Sequence, residues 1–172
     1  MIDTVGPLAT LMACVCEQFT QAGIETCFCG VQVGVTIDPR PVMDGGNMVC
    51  ARVISIAPSN ANTPDGGEMV RCQGLDLIVE ARLSFITCVP IETDLEGKPV
   101  PLSEEEELAT AALMDRAISA CYRAIMCCEW VEHFSVGVLS MADPEGPFNG
   151  AELAFQFVMP GVSDAPPPQD AV

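Results

Sequence analysis

The stretch Ser103–Trp130, SEEEELATAALMDRAISACYRAIMCCEW, decides the fold. Projected at about 100° per residue, its polar residues Asp115, Arg116, Ser119 and Arg123 fall on one narrow stripe, which predicts a long helix. Most of the remaining circumference is apolar. Met114, Ile118, Tyr122 and Ile125 form a large-residue side, and Ala109, Leu113, Ala117, Ala120, Ala124 and Cys128 form a neighbouring strip of mostly small residues. Two packing surfaces imply two neighbours, and a helix with so broad an apolar arc is normally internal. A chain with only one other good helix has little to enclose it with, so the expected cover is a sister subunit, with Ala117, Ala120, Ala124 and Cys128 as the candidate subunit interface. Ser103 and Glu106 fit a capping box, and Glu104–Glu107 put four acids where the positive end of the helix dipole favours them.

Outward from this helix, the chain alternates between clear and ambiguous signals. A first helix is expected over Pro7–Ala22, with proline in its first turn and Gly23 ending it. Leu8, Leu11, Met12, Val15 and Phe19 form its core face, opposite Thr10, Glu17 and Gln21. Glu25–Ile37 reads as a strand or a bent hairpin. Val49–Ala57 has no fully polar face and so reads as a strand covered on both sides. Leu75–Val89 alternates cleanly, with Leu75, Leu77, Val79, Ala81, Leu83, Phe85 and Val89 toward the core and Asp76, Glu80, Arg82 and Ser84 away from it. Phe134–Ser140 and Ala151–Met159 read as a hairpin whose long tip is Ala142–Gly150.

This order of elements predicts an α+β fold: a largely antiparallel β-sheet with two main α-helices packed against it. Residues 1–160 make one structural domain, and 161–172, with Pro166, Pro167 and Pro168, make a Pro-rich tail that cannot form a core.

With 172 residues, 49% of them apolar, the chain can bury a substantial core without disulfides or a metal. Its formal charge of −17 argues against affinity for nucleic-acid phosphates and for anionic membranes, both of which need Lys and Arg. The amino terminus has no basic leader region and no apolar run is long enough to span a membrane, so synthesis in the cytosol is expected. Ten cysteines in such a chain are expected to be reduced and buried as small apolar residues, with a bridge among Cys50, Cys72 and Cys88 left open.

Signals for chemistry are weak. Cys14 and Cys16 fall on the first helix about 200° apart and cannot clamp one ion together with Cys27 and Cys29. Cys127 and Cys128 read as packing residues, and His133 as a solvated histidine at a helix end with no nucleophile beside it. No phosphate-binding glycine loop and no nucleophile elbow is present. Neither catalysis nor a cofactor or metal is expected. The polar stretch Pro58–Gly74 is longer than loops in compact domains usually are, which marks a working loop. Its Asn60, Asn62, Asp65 and Glu68 are the candidate docking or channel residues.

The run Val49-Cys50-Ala51-Arg52-Val53 followed by Pro58, the strand Leu75–Pro90, the helix end Cys121–Cys128 and the closing strand pair resemble the tail terminator and related head-to-tail connector proteins of long-tailed, siphophage-type bacteriophages, particularly those of actinobacterial hosts. The likeness is one of element order and short motifs over most of Pro7–Pro160. It implies a virion structural protein at the head–tail junction: a homo-oligomer, a hexameric ring, that ends tail-tube polymerisation and joins the tail tube protein to a head–tail stopper or connector protein. Surplus carboxylates would then flank a channel that DNA passes without binding. The resemblance extends equally to a stopper or adaptor, and a small acidic cytosolic metal- or redox-binding protein is the alternative outside that family.

Overall fold

The first helix, α1 (Val5–Gln21), buries the five residues expected of it, Leu8, Leu11, Met12, Val15 and Phe19. It ends in a Schellman motif: Ile24 N–H donates to Phe19 O and Gly23 N–H to Thr20 O, while Gly23 takes φ 67°, a conformation that costs a residue without Cβ least. The structure, a computed structural model, describes residues 5–34, 36–38, 42, 46–59, 76–89, 96, 98, 100–145 and 148–160. The Pro-rich tail 161–172 lies outside the described residues.

Five strands follow the pattern of apolar alternation: β1 (Phe28–Val31), β2 (Asn47–Pro58), β3 (Leu77–Cys88), β4 (Phe134–Glu145) and β5 (Phe148–Met159). They form one sheet in the order β1-β2-β3-β5-β4. All pairs are antiparallel except β1 with β2, so the sheet is mixed, and the fold is α+β with its helices on the sheet as expected. The second helix, α2 (Glu104–Cys127), sits between β3 and β4 in sequence.

Two expectations change. Glu25–Ile37 yields only the four residues of β1, because the chain leaves the sheet after Val31 and turns at Gly34, where φ is 120°. The Gln32 side chain holds this departure by donating to Asp38 O and accepting from Asp38 N–H. The long hairpin tip also disappears: β4 and β5 continue through Ala142–Glu145 and Phe148–Gly150, paired as Ala142↔Gly150 and Glu145↔Phe148.

Both helices lie on one face of the sheet. There Val49, Ala51, Val79, Ala81, Leu83, Phe85, Leu153, Phe155 and Phe157 meet the core residues of α1 and α2. Trp130, just past α2, seats its ring edge-on against Phe155 and Phe157 and donates from Nε1 to Ile125 O at 3.1 Å. On the opposite face a smaller cluster of Val42, Met48 and Cys50 gathers Phe28, Ile37, Ile86, Cys88 and Phe148. The first half of β2 is therefore covered on both sides, whereas its second half departs from the expectation: β1 pairs only with Met48–Ala51, and Ile56 is 46% exposed.

Candidate functional site

The small-residue strip of α2 is the first candidate, and the structure corrects its role. Ala117, Ala120 and Ala124 are 0% exposed within the single chain, where α1 and the sheet cover them. Small side chains serve here to let two elements of one molecule approach closely, which removes the argument that a sister copy must cover them. The large-residue side is covered as well: Met114 and Ile125 are buried, and Ile118 and Tyr122 are half-buried against the same core. Cys128, the fourth residue proposed for the interface, is the C-cap of α2 and forms a disulfide with Cys14 of α1.

The cysteines supply a second correction. Besides Cys14–Cys128, Cys16 pairs with Cys29 of β1, with Cα atoms 6.6 and 6.0 Å apart in the two bridges. Cys14 and Cys16 do diverge around α1, but each meets a partner that the fold delivers to its own flank. The described free thiols differ in exposure, with Cys88 half-buried between two extremes. Cys50 and Cys121 are buried, which pushes them up to about 11 and about 12; for Cys50, nearby Arg52 lowers the value and Glu152 raises it by less than burial does. Cys27 and Cys127 are exposed.

Sequence reasoning missed the charged cluster on the sheet face away from the helices. Arg52 of β2 and Arg82 of β3 both pair with Glu152 of β5, the Arg82 contact at 2.7 Å, and Ser84 Oγ donates to the same carboxylate at 3.1 Å. Strand register brings them together: Arg52 lies opposite Arg82, and Ser84 opposite Glu152. Arg52 is 6% exposed and Ser84 is fully buried, so the face read as simply polar is partly interior. Burial alone would raise Glu152, but Arg82, Arg52 and Ser84 outweigh it and hold the carboxyl below its ordinary value. The period-two placement of Arg52, Arg82 and Glu152 was the available signal. The strand order that makes them neighbours was not readable.

The remaining surface features are open. Burial on α2 begins only at Met114, and its first turns stand off the sheet across a groove of about 600 Å³. Leu102, Ala111, Met114, Ile118 and Met141 supply the apolar walls, and Glu107 and Asp115 the acidic side chains. Beside it runs β4, one of the two edge strands of the described sheet. Residues 134–141 carry no ionisable side chain, and a bulge between Val136 and Leu139 leaves Val138 77% exposed, with Met141 also exposed.

His133 is exposed, and its carbonyl accepts from Val158 N–H. Among the described residues no group of three or more His, Cys, Asp or Glu is placed to hold a metal ion. No described helix is long and apolar enough to cross a membrane. Asn60, Asn62, Asp65 and Glu68 lie outside the described residues. No protein-family model matches the sequence, and no curated protein matches it.

Proposed function

We propose that this chain is a virion structural protein with no reaction of its own: a tail terminator that forms a ring at the head-proximal end of a phage tail tube, stops tube growth and joins the tail to the head connector. The observation that carries this reading is the uneven distribution of charge. The chain is strongly acidic, yet the edge strand β4 offers a neutral run at 134–141 with Val138 and Met141 exposed. Copies of a chain charged −17 repel one another, and a neutral edge is where they approach at least cost. The acidic remainder suits a passage for DNA, because like charge prevents adhesion. The similarity of the short motifs to terminator proteins supports the same reading.

The interface in this proposal is the β4 edge with its groove, in place of the buried alanine strip. Native mass spectrometry and negative-stain microscopy of the purified chain, alone and with the tail tube protein of the same phage, provide the test. Six-copy rings, free or capping tubes of fixed length, are the expected outcome. Normal-length, head-joined tails on particles lacking this protein would overturn it.

A further inference from the structure

Both disulfides leave α1, and both end on a segment that carries a second, exposed cysteine. Cys14 bridges to Cys128, whose neighbour Cys127 is exposed on the last turn of α2; Cys16 bridges to Cys29, and exposed Cys27 lies two residues before it. Cys27 is held just before β1, its Sγ donating to Asn47 O at 3.1 Å and its N–H to the same oxygen at 2.8 Å. All four bridged cysteines are half-buried, so neither bridge is sealed in the core.

We propose that Cys27 and Cys127 are exchange thiols, so that α1 is latched to β1 and to the end of α2 by either of two cysteines on each flank. The step needs no outside oxidant. The Cys127 thiolate attacks Cys14 Sγ, the Cys14–Cys128 bond breaks, and Cys128 leaves as a thiolate that takes up the proton Cys127 gave away. On the other flank Cys27 attacks Cys16 and expels Cys29 in the same way. Two electrons stay in each disulfide throughout, and only the partner changes.

The local structure favours such a swap. Cys127 is the last residue of α2 and Cys128 is already extended, with φ −95° and ψ 143°, so moving the bridge back one residue unwinds only the helix end. The last turn carries no basic residue to fix it. Cys27 gives up one thiol hydrogen bond. The latch has a consequence for α1: its attachment point moves by one residue on the α2 flank and by two on the β1 flank while it stays covalently tied to the body. The remaining described free thiols are poor rivals, since Cys50 and Cys121 are buried and Cys88 is half-buried in the cluster on the opposite face.

Peptide mass mapping tests this on the full chain, oxidised with glutathione disulfide, held in a glutathione redox buffer and trapped with iodoacetamide. Oxidation forms each bridge from two thiols and converts one glutathione disulfide to two glutathiones. Cys14–Cys127 and Cys16–Cys27 should appear beside the two bridges of the structure. In Cys128→Ser, Cys14 should stay bridged through Cys127, and in Cys29→Ser, Cys16 through Cys27. The double variants Cys127→Ser/Cys128→Ser and Cys27→Ser/Cys29→Ser should lose that protection completely. Alkylation of Cys14 in Cys128→Ser to the same extent as in the double variant, or absence of every bridge from the oxidised wild type, would overturn the proposal. Circular dichroism confirms that each variant is folded, and the exposed-site variants leave both original bridges intact: Cys27→Ser should lose only the Cys16–Cys27 pair and Cys127→Ser only the Cys14–Cys127 pair.

Discussion

The two faces of the sheet are held by different physics. Toward the helices, the side chains of β2, β3 and β5 are aliphatic or aromatic, and nondirectional apolar burial against α1 and α2 fixes them. Away from the helices, beside the small apolar cluster around Met48 and Cys50, one carboxylate and two guanidiniums occupy the middle of the sheet, and their hold depends on hydrogen-bond geometry and on ionisation. The first face tolerates exchange of one apolar side chain for another of like volume but not overpacking; the ion cluster on the second tolerates neither the loss of a partner nor the loss of charge. Mutations on the two faces should therefore differ in kind as well as in size.

The largest expected effect is on the helix-covered face. Ala120→Leu inserts three carbons where nothing is exposed, and overpacking of this sort costs about 1–3 kcal/mol. It should lower the denaturant midpoint of the isolated chain. A variant that melts like wild type but fails to oligomerise would return the alanine strip to the molecular surface and erase the contrast between the faces.

On the opposite face, Glu152→Gln keeps the shape and removes the charge. Hydrogen bonds to charged groups contribute about 1.5–3 kcal/mol, and the partial exposure of Arg82 places this loss at the lower end. The same substitution sharpens the comparison through pH. Because the Glu152 carboxyl titrates below its ordinary value in the folded chain, its contribution is complete above the unfolded carboxylate pKa and is lost as pH falls through the lowered folded one. Urea titrations from neutral pH downward should show wild type and Glu152→Gln converging in acid, whereas Ala120→Leu should stay offset from wild type by a nearly constant amount. Parallel wild-type and Glu152→Gln curves would mean that the ion cluster adds no pH-dependent stability.

The smallest effect expected belongs to neither face. Ser103→Ala removes the N-cap of α2, where Ser103 Oγ accepts from Glu106 N–H while the Glu106 carboxylate accepts from Ser103 N–H. Such caps are worth about 1 kcal/mol. Hydrogen exchange should localise the loss to the first turn of α2, and a change spread over the whole domain would contradict it.

The difference between the faces also explains what could be read in advance. The core residues of α1, the polar stripe of α2 and its capping box follow from local periodicity and from side chains three residues apart, and the structure has them as expected. What covers the small strip of α2 depends on where α1 packs, which no local pattern states. The continuation of β4 through Asp143, Pro144 and Glu145 runs against turn-favouring residues, and pairing with β5 overrides their preference. The Arg52–Glu152–Arg82 cluster joins residues up to 100 positions apart, and the Cys14–Cys128 bridge spans 114. Cysteine spacing alone does not reveal such connectivity.

At about 1.5 Å per residue, the part of α2 that precedes Met114 is a strut roughly 15 Å long. Glu104, Glu105, Glu106 and Glu107 are carried at its far end, all exposed. A cationic visitor would thus meet four carboxylates at the tip of a short lever before it reached the body of the molecule, and a pull on that tip would be transmitted along the helix axis to the buried alanines that clasp α1.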